Sequence, residues 1–225
     1  MSSRLLFVFT SCNKTLTGAN TGWYLPEAAH PYYTLFPYAT IDFASPEGPN
    51  PPVDESSVQM FKDEESVNFL EDPIVKTKLE TTKKLSEISV NDYDGIFYVG
   101  GHGPVIDLAS DPVNIKLASE FYRAGKITSA VCHGPAALVG ATDAEGKSIF
   151  AGKACTGFSN AEEVAVDKVK DIPFLLEDKI MSLGGKYEKT ELWQPKVVIS
   201  GHLFTGQNPA SAKPLAEAIL IALKA

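Results

Sequence analysis

The 225-residue sequence predicts an α/β domain built on a mainly parallel sheet. Three observations carry that expectation. Short continuous apolar runs, Leu5 to Thr10 and Asp94 to Val99, are the mark of strands buried on both faces. Such runs alternate along the chain with helical patterns, which is the order of βαβ units. Several runs end in small or polar residues, as expected where strands open onto a ligand-binding rim.

Taken in order, Leu5 to Thr10 is the first strand, and Ser11 and Cys12 lie at its carboxyl end. Asn13 to Asn20 is a polar loop. Thr21 is a candidate cap for a helix holding Trp23, Tyr24, Leu25 and Ala28, with Pro26 in its first turn. Thr40 to Ala44 is the second strand. The loop 45–52 carries Pro46, Gly48, Pro49, Pro51 and Pro52, which excludes regular structure. Residues 45 to about 90 are long, acidic and charged, with helical pieces at Ser57–Lys62 and Pro73–Ser86. This stretch reads as an insertion in a single domain spanning 1–225. It is either a cap or dimer-contact element over the rim, or a solvated surface excursion.

Further on, residues 112–124 form a helix, and Gly125 to Ser129 reads as a short strand leaving a turn. Pro135 to Val139 then reads as the first turns of a helix. A short strand follows at 153–158, then helices at 161–168 and 173–183, the latter ended by Gly184-Gly185. Lys196 to Ser200 and Leu203 to Thr205 are strands, and Pro209 to Lys224 is the last helix.

Composition limits the function. An apolar fraction of 44% supports a full core. The net charge of −8 argues against nucleic acid and anionic membranes as partners. No apolar run reaches the length of a membrane span, and Leu5 to Phe9 is too short for a secretory leader. The three cysteines, Cys12, Cys132 and Cys155, form no disulfide pattern, so a reducing intracellular compartment is expected.

The chemistry centres on Ala130-Val131-Cys132-His133-Gly134. Cys132 falls where a strand turns into a helix, with small residues two before and two after it. That is the spacing of a nucleophile elbow with sulfur in place of oxygen. A helix N-terminus beneath it would favour thiolate. Gly100-Gly101-His102-Gly103 ends the neighbouring strand. The N–H groups of Gly101 and His133 are candidates for an oxyanion hole. His133 can hold the thiolate if a carboxylate orients it, and Glu163 is a candidate for that acid. His30, His102 and His202 lack metal-ligand spacing, and no dinucleotide or phosphate-loop motif is present. No metal and no cofactor are therefore expected.

At these residues the sequence resembles the ThiJ/PfpI superfamily, and within it the fungal heat-shock-chaperone-like branch that includes glutathione-independent glyoxalases. The carrying stretches are Ala130 to Ala136, Gly100 to Gly103, Gly157 to Glu163, and Thr21 to Ala28. The resemblance implies a flavodoxin-like fold related to class I glutamine amidotransferases. It implies Cys132 as nucleophile, His133 as its partner, Glu163 as the acid behind that His, Gly101 in the oxyanion hole and Glu27 as proton shuttle. Glu162 adjoins Glu163, and the spacing from Gly157-Phe158 favours Glu163. The implied enzyme is a glyoxalase III-type lyase (a glutathione-independent D-lactate dehydratase) acting on a small dicarbonyl, methylglyoxal or glyoxal, as a cytoplasmic homodimer that also reaches the nucleus. The same cysteine is compatible with a stress chaperone or oxidation sensor, or with a protein deglycase. His202-Leu203-Phe204 stands where the amidotransferase relatives place a His-x-Glu pair, which argues against glutamine hydrolysis.

Overall fold

A computed structural model describes residues 3–224. Met1 and Ser2, which enter the expectation about a secretory leader, lie outside the described residues.

In chain order the elements are β1 (Ser3–Val8), α1 (Leu25–Leu35), β2 (Ala39–Ser45), α2 (Glu55–Met60), α3 (Glu64–Glu71), α4 (Pro73–Glu80), β3 (Lys83–Lys84), β4 (Gly95–Tyr98), α5 (Gly103–Ile106), α6 (Pro112–Arg123) and β5 (Ile127–Val131). After a 3-10 turn at Gly134–Leu138 come β6 (Ala154–Cys155), α7 (Asn160–Ala165), α8 (Leu176–Ser182), β7 (Lys186–Tyr187), β8 (Val197–Ser200), β9 (Leu203–Gly206) and α9 (Ala212–Leu223). The main sheet has the order β3-β2-β1-β4-β5-β9-β8. Every pairing in it is parallel except β8 with β9. β6 and β7 form a separate small parallel pair. This is the mainly parallel, flavodoxin-like α/β architecture expected.

The apolar runs explain the layering. Residues Leu5 to Val8, all of β4 and all of β9 are buried along their whole length, so both faces of the central strands are covered. Phe7 stacks among Phe43 and Phe97 within the sheet layer. α1 packs against α9 and α3, while α6 packs on β5 and on the 3-10 turn that follows it. Among the described residues, no helix is long and apolar enough to cross a membrane.

Several boundaries depart from the sequence reading. Thr21 does not cap α1; its N–H donates to the Asn13 carbonyl. Tyr24 is the N-cap and offers no side-chain cap, because Trp23 is drawn out of the helix into a bridge with Val53. The first N–H of the helix, that of Leu25, instead donates to Ser57 Oγ at 3.0 Å. α2 therefore caps α1 from a distant part of the chain. Ser57→Ala strands this buried donor, with an expected cost of about 1–2 kcal/mol. Thermal unfolding would read that as a Tm lowered by about 2–8 °C; an unchanged Tm would show that water substitutes for the hydroxyl.

The helix expected at 73–86 stops at Glu80, since Thr82 Oγ1 donates to the Lys78 and Leu79 carbonyls and Lys83–Lys84 join the edge of β2. α3, not anticipated, is capped by the Asp63 carboxylate accepting from the Ser66 N–H at 3.0 Å. The stretch after Cys132 is a five-residue 3-10 turn rather than an α-helix. Its N–H groups reach back three residues, as Ala136 does to His133 at 3.0 Å.

Candidate active site

Three adjacent chain segments meet at the carboxyl ends of β4 and β5. Gly100-Gly101-His102 follows β4, Cys132-His133 follows β5, and α1 brings Glu27 from near the start of the chain.

Cys132 is at φ +59°, a left-handed conformation uncommon outside glycine. Such a residue costs about 1–3 kcal/mol and persists only where its surroundings over-determine it. They do so here: the Cys132 N–H donates to the Gly206 carbonyl at 2.9 Å, and its carbonyl accepts from the Phe158 N–H at 2.8 Å. A Cβ on Gly134 would lie 2.6 Å from the Tyr98 carbonyl oxygen, so the small residue after the turn is a steric requirement. Gly101, at φ +102°, has no room for a side chain against the Gly22 carbonyl, 2.3 Å from its would-be Cβ. Its backbone N–H is directed to the Cys132 sulfur.

Behind the sulfur is a buried polar chain. Cys132 Sγ lies 3.4 Å from His133 Nδ1. His133 Nε2 lies 2.5 Å from Glu163 Oε2, and His102 Nε2 lies 2.8 Å from Glu163 Oε1. Burial alone would raise the Glu163 carboxyl, but the charge of His133 and the hydrogen bonds from both imidazoles outweigh it and hold the group well below the usual carboxylate range. An ionised Glu163 accepts only, so both Nε2 atoms carry protons. Nδ1 of His133 is the ring nitrogen that faces the thiol. Burial, followed by the neighbouring His133, lowers the basicity of His102.

The donor atoms of His102, His133 and Glu163 lie within 4.8 Å of one another, as metal ligands can. Each carboxylate oxygen already accepts an imidazole N–H, so the trio closes on itself.

Glu163→Gln replaces an acceptor of two N–H groups with an amide that must face one of them as a second donor. The expected loss in kcat/KM is about a hundredfold or more. A second signature is the pH dependence of stability. A carboxyl held low in the folded state adds stability that is present above the unfolded value of about 4.3 and is lost as pH falls. The acid limb of the Tm–pH curve is therefore expected to flatten in the variant, and an unchanged limb would remove Glu163 from the ionised state argued here.

Glu27 faces the sulfur from the other side and is fully buried. Its position is tight: a Cβ on Gly100 would come within 2.1 Å of Glu27 Oε2 and 2.9 Å of Cys132 Cβ. Neither carboxyl oxygen has a well-formed hydrogen bond among the described residues. Burial pushes this carboxyl well above the usual range, and the Cys132 thiol and Gly100 backbone offset that only in part. Burial also pushes the Cys132 thiol up, as does charge on Glu27, while the Gly101 N–H pulls it down. The depressed thiol expected from the sequence is therefore reversed. The sulfur is enclosed beside an acid, and the turn below it is too short to supply an α-helical dipole. Sulfur and carboxyl cannot both be charged, so the pair retains at least one proton at rest.

The adjacent acid, Glu162, turns the other way. Its carboxylate accepts from Ser159 N–H and Oγ, Trp193 N–H, Gln207 Nε2 and Asn208 Nδ2. Glu163 is thus the acid facing His133, as the spacing suggested, and Glu162 ties down the wall. A cavity of about 180 Å³ lies against Cys132, Gly101, His102 and His133, and is closed by Tyr24, Met60, Phe158, Val166, Trp193 and Pro209, with Asp54, Ser56 and Lys168 at its polar margin.

The DJ-1/PfpI family matches this chain over residues 52–222. The chain belongs to the DJ-1/PfpI family. Its relatives in the family extend the match to nearly full length. It is 33% identical to a Saccharomyces cerevisiae protein named glutathione-independent glyoxalase HSP31, over 98% of each chain. It is 32% identical to the Candida albicans protein named glyoxalase 3, again over 98% of each. Among solved structures, the Francisella tularensis rapid encystment protein of 24 kDa superposes with a TM-score of 0.94 at 34% identity, covering 98% of this chain and 99% of that one. The Candida albicans glyoxalase III structure superposes with a TM-score of 0.87 at 29% identity, covering 98% and 97%.

Sequence reasoning missed His102, whose acid partner is 61 residues away. Its position directly after Gly100-Gly101 at a strand end was the available signal. Trp193, Gln207 and Asn208 had no local signal, whereas Ser159, three residues before Glu162, forms a capping box with it.

Proposed function

We propose that this protein is a glutathione-independent glyoxalase that converts methylglyoxal and water to lactate, and glyoxal to glycolate. The observation that carries the reading is a nucleophile at a strained turn with a base on one side, His133, and a buried carboxyl on the other, Glu27. The names of the relatives in yeast and Candida favour the same chemistry.

The geometry supports the following steps. Cys132 attacks the aldehyde carbon as its thiol proton passes to His133 Nδ1, and Glu163 stabilises the imidazolium that results. The aldehyde oxygen gains charge against the N–H groups of Gly101 and His133 and takes the proton of Glu27, giving a hemithioacetal. Glu27 is now a buried carboxylate, and its raised basicity suits it to remove the proton from that carbon. His133 protonates the neighbouring oxygen, forming an enediol. Glu27 returns its proton to the second carbon, and the first hydroxyl gives its proton back to His133, leaving a thioester of the 2-hydroxy acid. Water adds to the thioester and yields a proton to Glu27. The departing sulfur takes one from His133. Methylglyoxal and water become lactate and a proton. No electron acceptor is consumed, and the thiol that glutathione would otherwise lend belongs to the protein.

The direct test is incubation of purified protein with methylglyoxal, without glutathione or added cofactor, and assay of lactate. Lactate accumulating in proportion to enzyme is the expected result; consumption of methylglyoxal without lactate would reduce the site to a reactive thiol.

A further inference from the structure

The space over Cys132 continues beyond the reacting carbons. It opens into a recess of about 540 Å³, and Tyr24, Met60, Val166, Trp193 and Pro209 line both volumes. Phe61 adds a further ring to the outer one. The walls are predominantly carbon, and they are held in place. Tyr24 meets Phe61 edge-on at 5.6 Å, and its hydroxyl donates to Met60 Sδ at 3.7 Å. Trp193 is at φ +63°, which a bulky residue rarely adopts. Its N–H donates to the buried Glu162 carboxylate at 3.1 Å, and its ring lies 5.9 Å from that of Phe158. Backbone strain that is actively held in this way marks a functional wall more often than an accident of packing.

Methylglyoxal extends only a methyl group past its two carbonyls. That leaves water against an apolar surface, and a larger apolar group gains by displacing it. We propose that this recess is a substituent subsite, and that the enzyme prefers α-oxoaldehydes bearing an aryl or branched alkyl group over methylglyoxal. The inference rests on the glyoxalase reading. The reaction is unchanged: water is added, one proton moves from the aldehyde carbon to its neighbour, and phenylglyoxal becomes mandelate.

The test compares kcat/KM for phenylglyoxal and methylglyoxal in the wild type, Phe61→Ser and Trp193→Gly. Glycine suits the positive φ of position 193, and Trp193 is 43% exposed, so the fold tolerates losing the ring. The expected wild-type preference for phenylglyoxal is about tenfold or more, since each added methylene in an apolar pocket is worth about tenfold or more. In each variant the ratio is expected to fall at least about fivefold. Calorimetric binding of unreactive acetophenone separates the two levels of the argument. Acetophenone binding that is lost in Trp193→Gly, with neither aldehyde turned over, defeats the chemistry and keeps the subsite. Methylglyoxal turnover with no aryl preference, or with a ratio unmoved in both variants, defeats the subsite and keeps the chemistry.

Discussion

Cys132→Ala is expected to reduce lactate formation from methylglyoxal to background, a fall of about 10⁴-fold or more, because among the described residues Cys132 is the one cysteine lining the inner cavity, and it is the group in contact with His133 Nδ1. The substitution removes one sulfur and keeps the Cβ, so the turn, the Phe158 and Gly206 backbone bonds and the fold are retained. Stability is expected to change by no more than about 1 kcal/mol. A dead enzyme with a wild-type Tm is the diagnostic pair. Residual turnover within tenfold of wild type would move the reaction off this sulfur. Cys132→Ser gives a second check, since a hydroxyl of far higher pKa at the same place cannot be activated by His133 to the same degree.

Glu27→Gln is the second large effect, and its signature is opposite in sign for function and for stability. Loss of the proton shuttle is expected to cost about 10²–10⁴-fold in kcat. The same change removes a buried acid whose folded-state pKa is raised. Such a group keeps its proton in the fold over a pH range where the unfolded chain, with a value of about 4.3, has lost it. Wild-type stability therefore declines as pH rises from the unfolded value toward the folded one. The amide escapes that penalty, so the variant is expected to melt higher than wild type at neutral pH. Once Glu27 ionises at alkaline pH its charge raises the Cys132 thiol, so in that range the variant's thiol is expected to be alkylated faster by iodoacetamide than the wild type's. An inactive variant that is less stable, with a slower thiol, would show that Glu27 holds the fold instead of moving protons.

What could be read from the chain alone followed the range of the interaction. The strands β1 and β4 are written as local apolar runs, and the Cys132 turn as a local spacing of small residues, so both were legible. Glu27 was reached through resemblance, since nothing in Leu25-Pro26-Glu27 says that this acid is buried against a sulfur contributed from β5. α3 was hidden by its charge: Glu64, Glu65 and Glu71 resemble a solvated excursion, although Phe69 is fully buried within it. The sequence predicts the wrong direction of shift for the thiol because Gly134-Pro135-Ala136-Ala137-Leu138 does not distinguish a 3-10 turn from an α-helix and does not show the enclosure of the sulfur. The bonds of His102 to Glu163 and of Glu162 to Gln207 and Asn208 span tens of residues, and no window of sequence holds both ends of them.

The way α1 is capped has a consequence for how the protein becomes active. Glu27 sits in the first turn of that helix, whose leading N–H depends on Ser57, and the sulfur depends on a bond to Gly206 near the opposite terminus. Competence for catalysis is then a property of the finished chain. During refolding from denaturant, lactate-forming activity is expected to return later than far-ultraviolet ellipticity, and a nascent polypeptide still short of β9 would carry its cysteine in an uncommitted, unreactive loop.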